Sequence, residues 1–286
     1  MKSATSIINP FECTISRGIG ASAGSEEAPR RAFFAISGLL FAVCAMVTVL
    51  WCTSMSAMGE MRMPGGWVMS MTWSRMPGQS WIEAVASFLG MWVVMMAAMM
   101  LPSLAPMLWR YRQAIGWTGE SRAALLTGLA GLGYFFVWTL FGLAVFPLGI
   151  ALATAEMENS ELARAVPVAI GVVTLIAGAV QLTSWKGHHL ACCREEPARG
   201  RILPADSATA WRQGMRFGIH CGLSCANLTA ILLVIGVMDL RSMAFVTAAI
   251  TAERIAPAGK SVARAIGVVV IGAGLLLIAQ AVGPWI

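Results

Sequence analysis

The sequence predicts an all-α fold, a polytopic bundle of transmembrane helices. Hydrophobic residues make up 58% of the 286 residues and charged residues only 12%, whereas a soluble domain carries about 25% charged residues. A soluble protein of this composition would lack the polar side chains needed to cover its core. Long apolar runs recur along the chain, and about 20 such residues cross the hydrocarbon core as a helix. Because backbone groups in lipid must bond internally, we expect these runs to be helical.

Seven apolar runs are predicted to span the membrane, and six is the alternative because the sixth run is short and contains Glu253. Residues 1–30 are polar and mixed, so we interpret them as a flexible cytoplasmic tail without a cleavable signal sequence. Residues 31–286 then form one transmembrane helical domain. The runs cover about 32–54, 84–109, 123–154, 165–185, 214–238, 242–255 and 265–285.

The distribution of Lys and Arg predicts a cytoplasmic N-terminus. With that orientation the cytoplasmic segments hold sixteen of the 20 basic residues, and the outer segments hold only Arg62, Arg75, Arg164 and Arg241. Short cytoplasmic loops of membrane proteins carry such an excess. An odd number of spans then places the C-terminus outside, and the predicted location is a bacterial inner membrane. No basic patch interleaved with aromatic residues is present, so we expect no nucleic acid partner.

Histidine and cysteine concentrate in two places at the predicted cytoplasmic face. One is the cytoplasmic loop predicted over 186–213, and the other is the start of the fifth run. Imidazole and thiolate are the ligand set for zinc or copper, and a reducing cytoplasm keeps thiols available. We therefore predict metal ligands here, although a buried cysteine also serves as a small apolar residue. The predicted ligands are His188, His189, Cys192, Cys193, His220, Cys221 and Cys225.

Methionine is concentrated between Met55 and Met107, a segment that holds thirteen of the 19 methionines. Part of it is a Met-rich outer loop predicted over 55–82, and part is the second run. Thioether sulfur is soft and uncharged, so it binds Cu(I) better than Zn(II). One interpretation is a path for Cu(I) toward the cytoplasmic cluster; the other is filling of irregular helix contacts. The predicted path residues are Met91, Met95, Met99, Met100 and Met107.

Glu253 lies inside the sixth apolar run, where a charged side chain is costly unless it is paired or functional. Pairing with Arg254 or Lys260 is one interpretation of this residue. A role as metal ligand or proton carrier near the cytoplasmic cluster is the other.

Four motifs follow one another between about 83 and 260: Met95–Met107, Gln181–Arg194, Gly218–Cys225, and Gly236–Met243 with Thr251–Pro257. Together they resemble the signatures of a bacterial family of predicted metal-binding integral membrane proteins, sometimes described as copper chaperone-like. The resemblance implies a polytopic membrane fold. The motif positions that carry over are Lys186, Cys193, Arg194, Cys221 and Cys225, so Lys186 and Arg194 are predicted to be polar residues around the metal.

The chain departs from the motifs of that family at two positions. His189 stands where the second motif has a cysteine, and Ser224 stands where relatives often have another. Both departures lower the number of thiolates. The donors that would compensate are His188, His189, Cys192 and His220.

The leading functional hypothesis is a membrane protein that handles a soft transition metal, Cu(I) before zinc, as a transporter or membrane metallochaperone. Its expected partners are the lipid bilayer and a metalloenzyme or other membrane protein. The alternative is a structural or assembly subunit of a membrane complex with a zinc site or no metal. A third hypothesis is an intramembrane thiol oxidoreductase. No catalytic residue is predicted, because the chain lacks the common phosphate-loop, serine-hydrolase and zinc-protease motifs.

Overall fold

The computed structural model describes residues 27–57, 61–63, 67–69, 73, 78–115, 119–195 and 203–283. These residues are almost entirely helical, which confirms the all-α prediction, and two short antiparallel strands interrupt the Met-rich segment. The elements are α1 (Glu27–Ala57), β1 (Met61–Arg62), β2 (Val68–Met69), α2 (Trp81–Ala114), α3 (Glu120–Glu158), α4 (Ser160–Gln181), α5 (Ser184–Glu195), α6 (Ser207–Ile235), α7 (Leu240–Ile255) and α8 (Gly259–Val282).

Six helices are long and apolar enough to cross a membrane, namely α1, α2, α3, α4, α6 and α8. The predicted sixth span forms as α7, but its 16 residues extend only about 24 Å. The hydrocarbon core is about 30 Å thick. By helix length, the described part of the chain therefore supports the alternative count of six spans rather than seven.

Two predicted segment boundaries differ from the structure. The predicted loop over 186–213 is helical at both ends, in α5 and in the first turns of α6. Helix α6 begins early because Asp206 caps it, its Oδ1 accepting a hydrogen bond of 2.8 Å from the backbone N–H of Thr209. The predicted tail ends before residue 30, because α1 already begins at Glu27. Residues 1–26 and, within the Met-rich loop, Met58, Met71 and Met76 lie outside the described residues.

Helices α4 and α8 pack antiparallel with their backbones in contact. A Cβ atom added to Gly171 would lie 3.2 Å from the carbonyl oxygen of Gly274, and one added to Gly178 would lie 2.9 Å from that of Gly267. The residue numbers rise along α4 as they fall along α8, which fixes the antiparallel direction. Glycine at both levels permits the close approach that stabilises helix pairs in lipid.

The bundle has two ends that differ in composition. The basic end joins the end of α2 to the starts of α3 and α6: Arg112 pairs with Glu120 at 2.6 Å, and Arg122 donates to the carbonyl oxygen of Ala205. The loop end carries β1 and β2, the end of α1 and the start of α4. There the indole N–H of Trp67 donates to the carbonyl oxygen of Ala163 at 2.8 Å.

Helix α7 runs from the loop end into the middle of the bundle. Its last turn meets the middle of α6, where Arg254 donates to Ser224 Oγ at 3.1 Å. Helix α5 lies beside this point, because Lys186 contacts both Glu253 of α7 and the Ser224 carbonyl of α6. The short α7 and the short α5 thus meet inside the bundle, and their side chains surround one stretch of α6.

Candidate metal centre

The centre of this stretch is a set of sulfur atoms, which we call the sulfur group: Cys193, Cys221, Cys225 and Met100. Cys221 and Cys225 lie one turn apart on α6, with their Sγ atoms 4.0 Å apart. The Sδ atom of Met100, on α2, lies 3.9 Å from Cys221 Sγ. Two sulfur ligands about 2.3 Å from one metal and about 120° apart are separated by about 4 Å. Both separations therefore suit shared coordination of one ion.

Tyr134 fixes the position of Cys221. Its hydroxyl lies 2.8 Å from Cys221 Sγ, and both side chains are fully buried. Tyr134 belongs to α3, whose backbone lies against α6 because glycine occupies position 218 at the contact. Tyr134 is not among the predicted site residues, since a tyrosine in an apolar helix carries no local signal of a metal centre.

Arg254 places a buried positive charge against the thiols. Its Nη2 atom lies 3.3 Å from Cys225 Sγ and 3.9 Å from Cys193 Sγ, and Nη1 donates to Ser103 Oγ at 3.2 Å. A buried charge is costly unless a countercharge or hydrogen bonds compensate it. The neutral hydroxyls supply hydrogen bonds only. The guanidinium is therefore positioned to stabilise thiolate forms of the neighbouring cysteines.

Glu253 pairs with Lys186 and not with Arg254 or Lys260, the partners expected from the sequence. The Lys186 Nζ and Glu253 Oε2 atoms are 2.9 Å apart, with the side chains only 1% and 3% exposed. Gln181 also donates to Glu253, and Lys186 donates to the Ser224 carbonyl. The ammonium and the carboxylate cancel each other's charge. Lys186 and Glu253 thus lie beside the sulfur group, whereas the side chain of Arg194 lies outside the described part of the chain.

The three histidines form a second set with Cys192, which we call the imidazole group. The ring centroids of His189 and His220 are 5.9 Å apart, and those of His188 and His189 are 5.4 Å apart. Cys192 Sγ lies 3.8 Å from His188 Nε2. Burial, together with the neighbouring His188, lowers the pKa of His189. The neutral imidazole is the form that binds a metal.

Two buried nitrogens of the imidazole group are unsatisfied. Among the described residues, neither His189 Nδ1 nor His220 Nδ1 has a hydrogen-bond partner. Buried polar atoms are hydrogen-bonded in the large majority of cases, so each exception needs an explanation. A metal ion or a water molecule shared by the two rings would satisfy both nitrogens.

The predicted ligands are thus divided between two neighbouring sets. Cys193, Cys221 and Cys225 belong to the sulfur group, and the others belong to the imidazole group. Within the chain the structure describes, no three His, Cys, Asp or Glu side chains are arranged to hold one metal ion. Cys221 and Cys225 supply two sulfur donors, and the thioether of Met100, in contact with Cys221, supplies a third.

The predicted methionine path is buried along its whole length. Met91, Met95, Met99, Met100 and Met107 all lie in one hydrophobic cluster that also contains Cys221 and Cys225. Met96, which is not one of the predicted path residues, is fully buried in the same cluster. This burial is what both a metal path and simple core packing predict.

Comparison with known proteins identifies one family. A family model described as a copper chaperone matches residues 89–277. The matched range includes the sulfur group, the imidazole group, Tyr134 and Arg254, and it omits α1. No curated protein and no solved structure gives a significant match.

Proposed function

The chain belongs to the PpoB2 family of copper chaperones, and from that premise we propose that it holds Cu(I) inside a membrane and passes it to a copper protein. The observation that carries the proposal is the sulfur group beside a buried arginine. Cys221, Cys225 and Met100 would be the ligands, and Arg254 the countercharge.

The charge of the site favours Cu(I) over zinc. Two thiolates and one Cu⁺ carry a net charge of −1, which the guanidinium of Arg254 cancels. Two thiolates and Zn²⁺ are neutral and would leave Arg254 as an uncompensated buried cation. A thioether ligand also suits Cu(I), whereas structural zinc sites have four Cys or His ligands. A zinc-binding assembly subunit is therefore the weaker alternative.

The two donor sets support release toward the basic end. Cys192 and Cys193 are adjacent on α5, one beside the histidines and the other beside Arg254 and Ser224. A Cu(I) ion would move from the sulfur group to the imidazole group by ligand exchange, one new bond forming as an old one breaks. His188 is exposed and would be the last ligand before an accepting metalloenzyme or other membrane protein.

The proposed orientation places the basic end in the cytoplasm of a bacterium with an inner membrane. The excess of Lys and Arg at this end supports that placement. Helix α6 ends at the loop end, whereas α8, which is antiparallel to α4, starts toward the basic end. Helix α7 is therefore the segment that returns the chain between them. The proposed chain thus has six membrane-spanning helices and the short α7, and its C-terminus lies outside.

Copper transport is a second candidate, favoured by the buried methionines of α2. A transporter would release the metal as an ion into the compartment beyond the membrane, whereas a chaperone would hand it directly to an accepting protein. Uptake of Cu(I) into proteoliposomes, measured with a luminal fluorescent Cu(I) probe, separates the two.

The metal assignment is tested with the anaerobically purified full chain and a chromophoric Cu(I) chelator as competitor. We expect the wild type to bind one Cu(I) ion tightly at the sulfur group and the Cys221→Ser/Cys225→Ser variant to lose that ion. Cys44→Ser is the matched control, because Cys44 is a buried cysteine that packs against Ala97, Ala98 and Leu101. Unchanged Cu(I) affinity in the double variant, or displacement of Cu(I) by equimolar Zn(II), would overturn the assignment.

A further inference from the structure

A second pair of sulfur atoms lies at the loop end, away from the sulfur group. Cys52 is in the penultimate turn of α1, and its side chain is 2% exposed. Its Sγ atom lies 3.6 Å from the Sδ atom of Met238, in the turn between α6 and α7. The two residues are far apart in sequence, so the fold brings the two sulfur atoms together.

The turn that carries Met238 is held on both sides. Gly236 ends α6 with a φ of +139°, a backbone conformation that favours glycine. Asp239 then caps α7, its carboxylate accepting hydrogen bonds from the backbone N–H groups of Arg241 and Ser242 at 3.3 and 3.0 Å. The position of Met238 is thereby fixed against α1.

We infer that Cys52 and Met238 form a second Cu(I) site, which receives the ion at the loop end before it reaches the sulfur group. When Cu(I) binds, the Cys52 thiol releases its proton to solvent and its sulfur forms a bond to copper. At the same time, one bond breaks between copper and the molecule that delivers it. One thiolate, one thioether and Cu⁺ are together neutral, so burying the complex adds no net charge. Zn²⁺ on the same ligands would keep a positive charge.

The position of the pair links it to the rest of the molecule. The Met-rich segment begins at Met55, three residues after Cys52. On the other side, Cys52 belongs to the same buried cluster as Met91, Met95 and Cys221, and Met238 packs against that cluster. Soft donors therefore occur at the loop end, along α2 and at the sulfur group. The inference rests on the proposed function for the identity of the metal.

The chain itself offers a control for this site. Cys44 lies two turns before Cys52 on the same helix and is also buried, but it packs against Ala97, Ala98 and Leu101. Replacing Cys44 removes a buried thiol from α1 without touching the sulfur pair. For Met238, leucine keeps the apolar side chain and removes only the thioether.

The test is an anaerobic Cu(I) titration of the full chain against the chromophoric chelator, with Cu(I) as the only metal. We expect about two tight Cu(I) ions in the wild type and in Cys44→Ser. Cys52→Ser and Met238→Leu should each weaken one of them by about tenfold or more. Circular dichroism and size-exclusion profiles should match the wild type in all variants.

The outcomes separate this inference from the proposed function. Loss of one ion in Cys221→Ser/Cys225→Ser, with a different ion lost in Cys52→Ser, supports both sites. If Cys52→Ser loses an ion and Cys221→Ser/Cys225→Ser does not, the loop-end site stands and the proposed sulfur group falls. If Cys52→Ser or Met238→Leu binds Cu(I) like the wild type while correctly folded, the sulfur pair is not a site.

Discussion

The Nη2 atom of Arg254 lies 3.3 Å from the Sγ atom of Cys225, and both side chains are buried. A guanidinium is always charged, so this contact puts a fixed positive charge against a potential metal ligand. The same group contacts Cys193 and Ser224. Because of this contact, Cys221 and Cys225 are suited to hold a metal complex that carries a net negative charge.

The first prediction concerns this charge. Arg254→Leu should weaken Cu(I) binding at the sulfur group by about tenfold or more, because the anionic bis-thiolate complex loses its countercharge. Arg254→Lys keeps the charge and should recover part of the affinity. Chelator competition measures both.

Arg264→Leu is the control for a lost charge, since Arg264 is an exposed residue of α8. It should bind Cu(I) with wild-type affinity. Equal affinity of Arg254→Leu and Arg264→Leu would contradict the role given to Arg254.

The second prediction concerns the thioether ligand. Met100→Leu should lower the number of sulfur donors around copper from about three to about two, because Met100 supplies the thioether that contacts Cys221 in the described part of the chain. X-ray absorption at the copper edge measures that number when each protein also carries Cys52→Ser and is loaded with one Cu(I), so that the ion occupies the sulfur group. Met96→Leu is the matched control, since Met96 is fully buried one turn earlier on α2. The same sulfur number in both variants would exclude Met100 as a ligand.

The sequence alone predicted the helical fold, because lipid leaves an apolar chain few alternatives to helices. It also predicted that the Cys and His residues of segment 186–213 and of the start of the fifth run would lie together, and the structure places Cys193 Sγ 3.7 Å from Ser224 Oγ of α6. It also predicted a short helix over 242–255, which the structure shows as α7. It did not predict the partners of the buried Glu253 and Arg254, which are Lys186 and Cys225 on other helices.

The sequence did not predict how the donors are divided or what surrounds them. Tyr134 and Met238 become neighbours of cysteines only through packing between helices distant in sequence. No periodicity or motif within one segment encodes such a contact. Arg254 was considered only as a partner for Glu253, because adjacent opposite charges suggest pairing, whereas the helix directs the two side chains to different neighbours.

The third prediction concerns the buried ion pair. Glu253→Gln should destabilise the protein by roughly 3–5 kcal/mol, because it leaves the ammonium of Lys186 buried without its countercharge. The double change Lys186→Met/Glu253→Gln should recover much of this loss. Thermal unfolding in detergent, followed by circular dichroism, measures the three proteins. Additive losses in the double variant would mean that the two side chains act independently.

The last prediction concerns the contact of α4 with α8. Gly178→Ala should lower the melting temperature, because the added Cβ would lie 2.8 Å from the backbone nitrogen of Ile271 and 2.9 Å from the carbonyl oxygen of Gly267. Neither backbone atom can move without separating the helices. Gly272→Ala, in the same helix pair, is the control: its Cβ would meet nothing within 4 Å. Because alanine favours a helix over glycine by about 1 kcal/mol, Gly272→Ala should match or exceed wild-type stability. A melting temperature for Gly178→Ala equal to that of Gly272→Ala would show that α4 and α8 are not held in backbone contact.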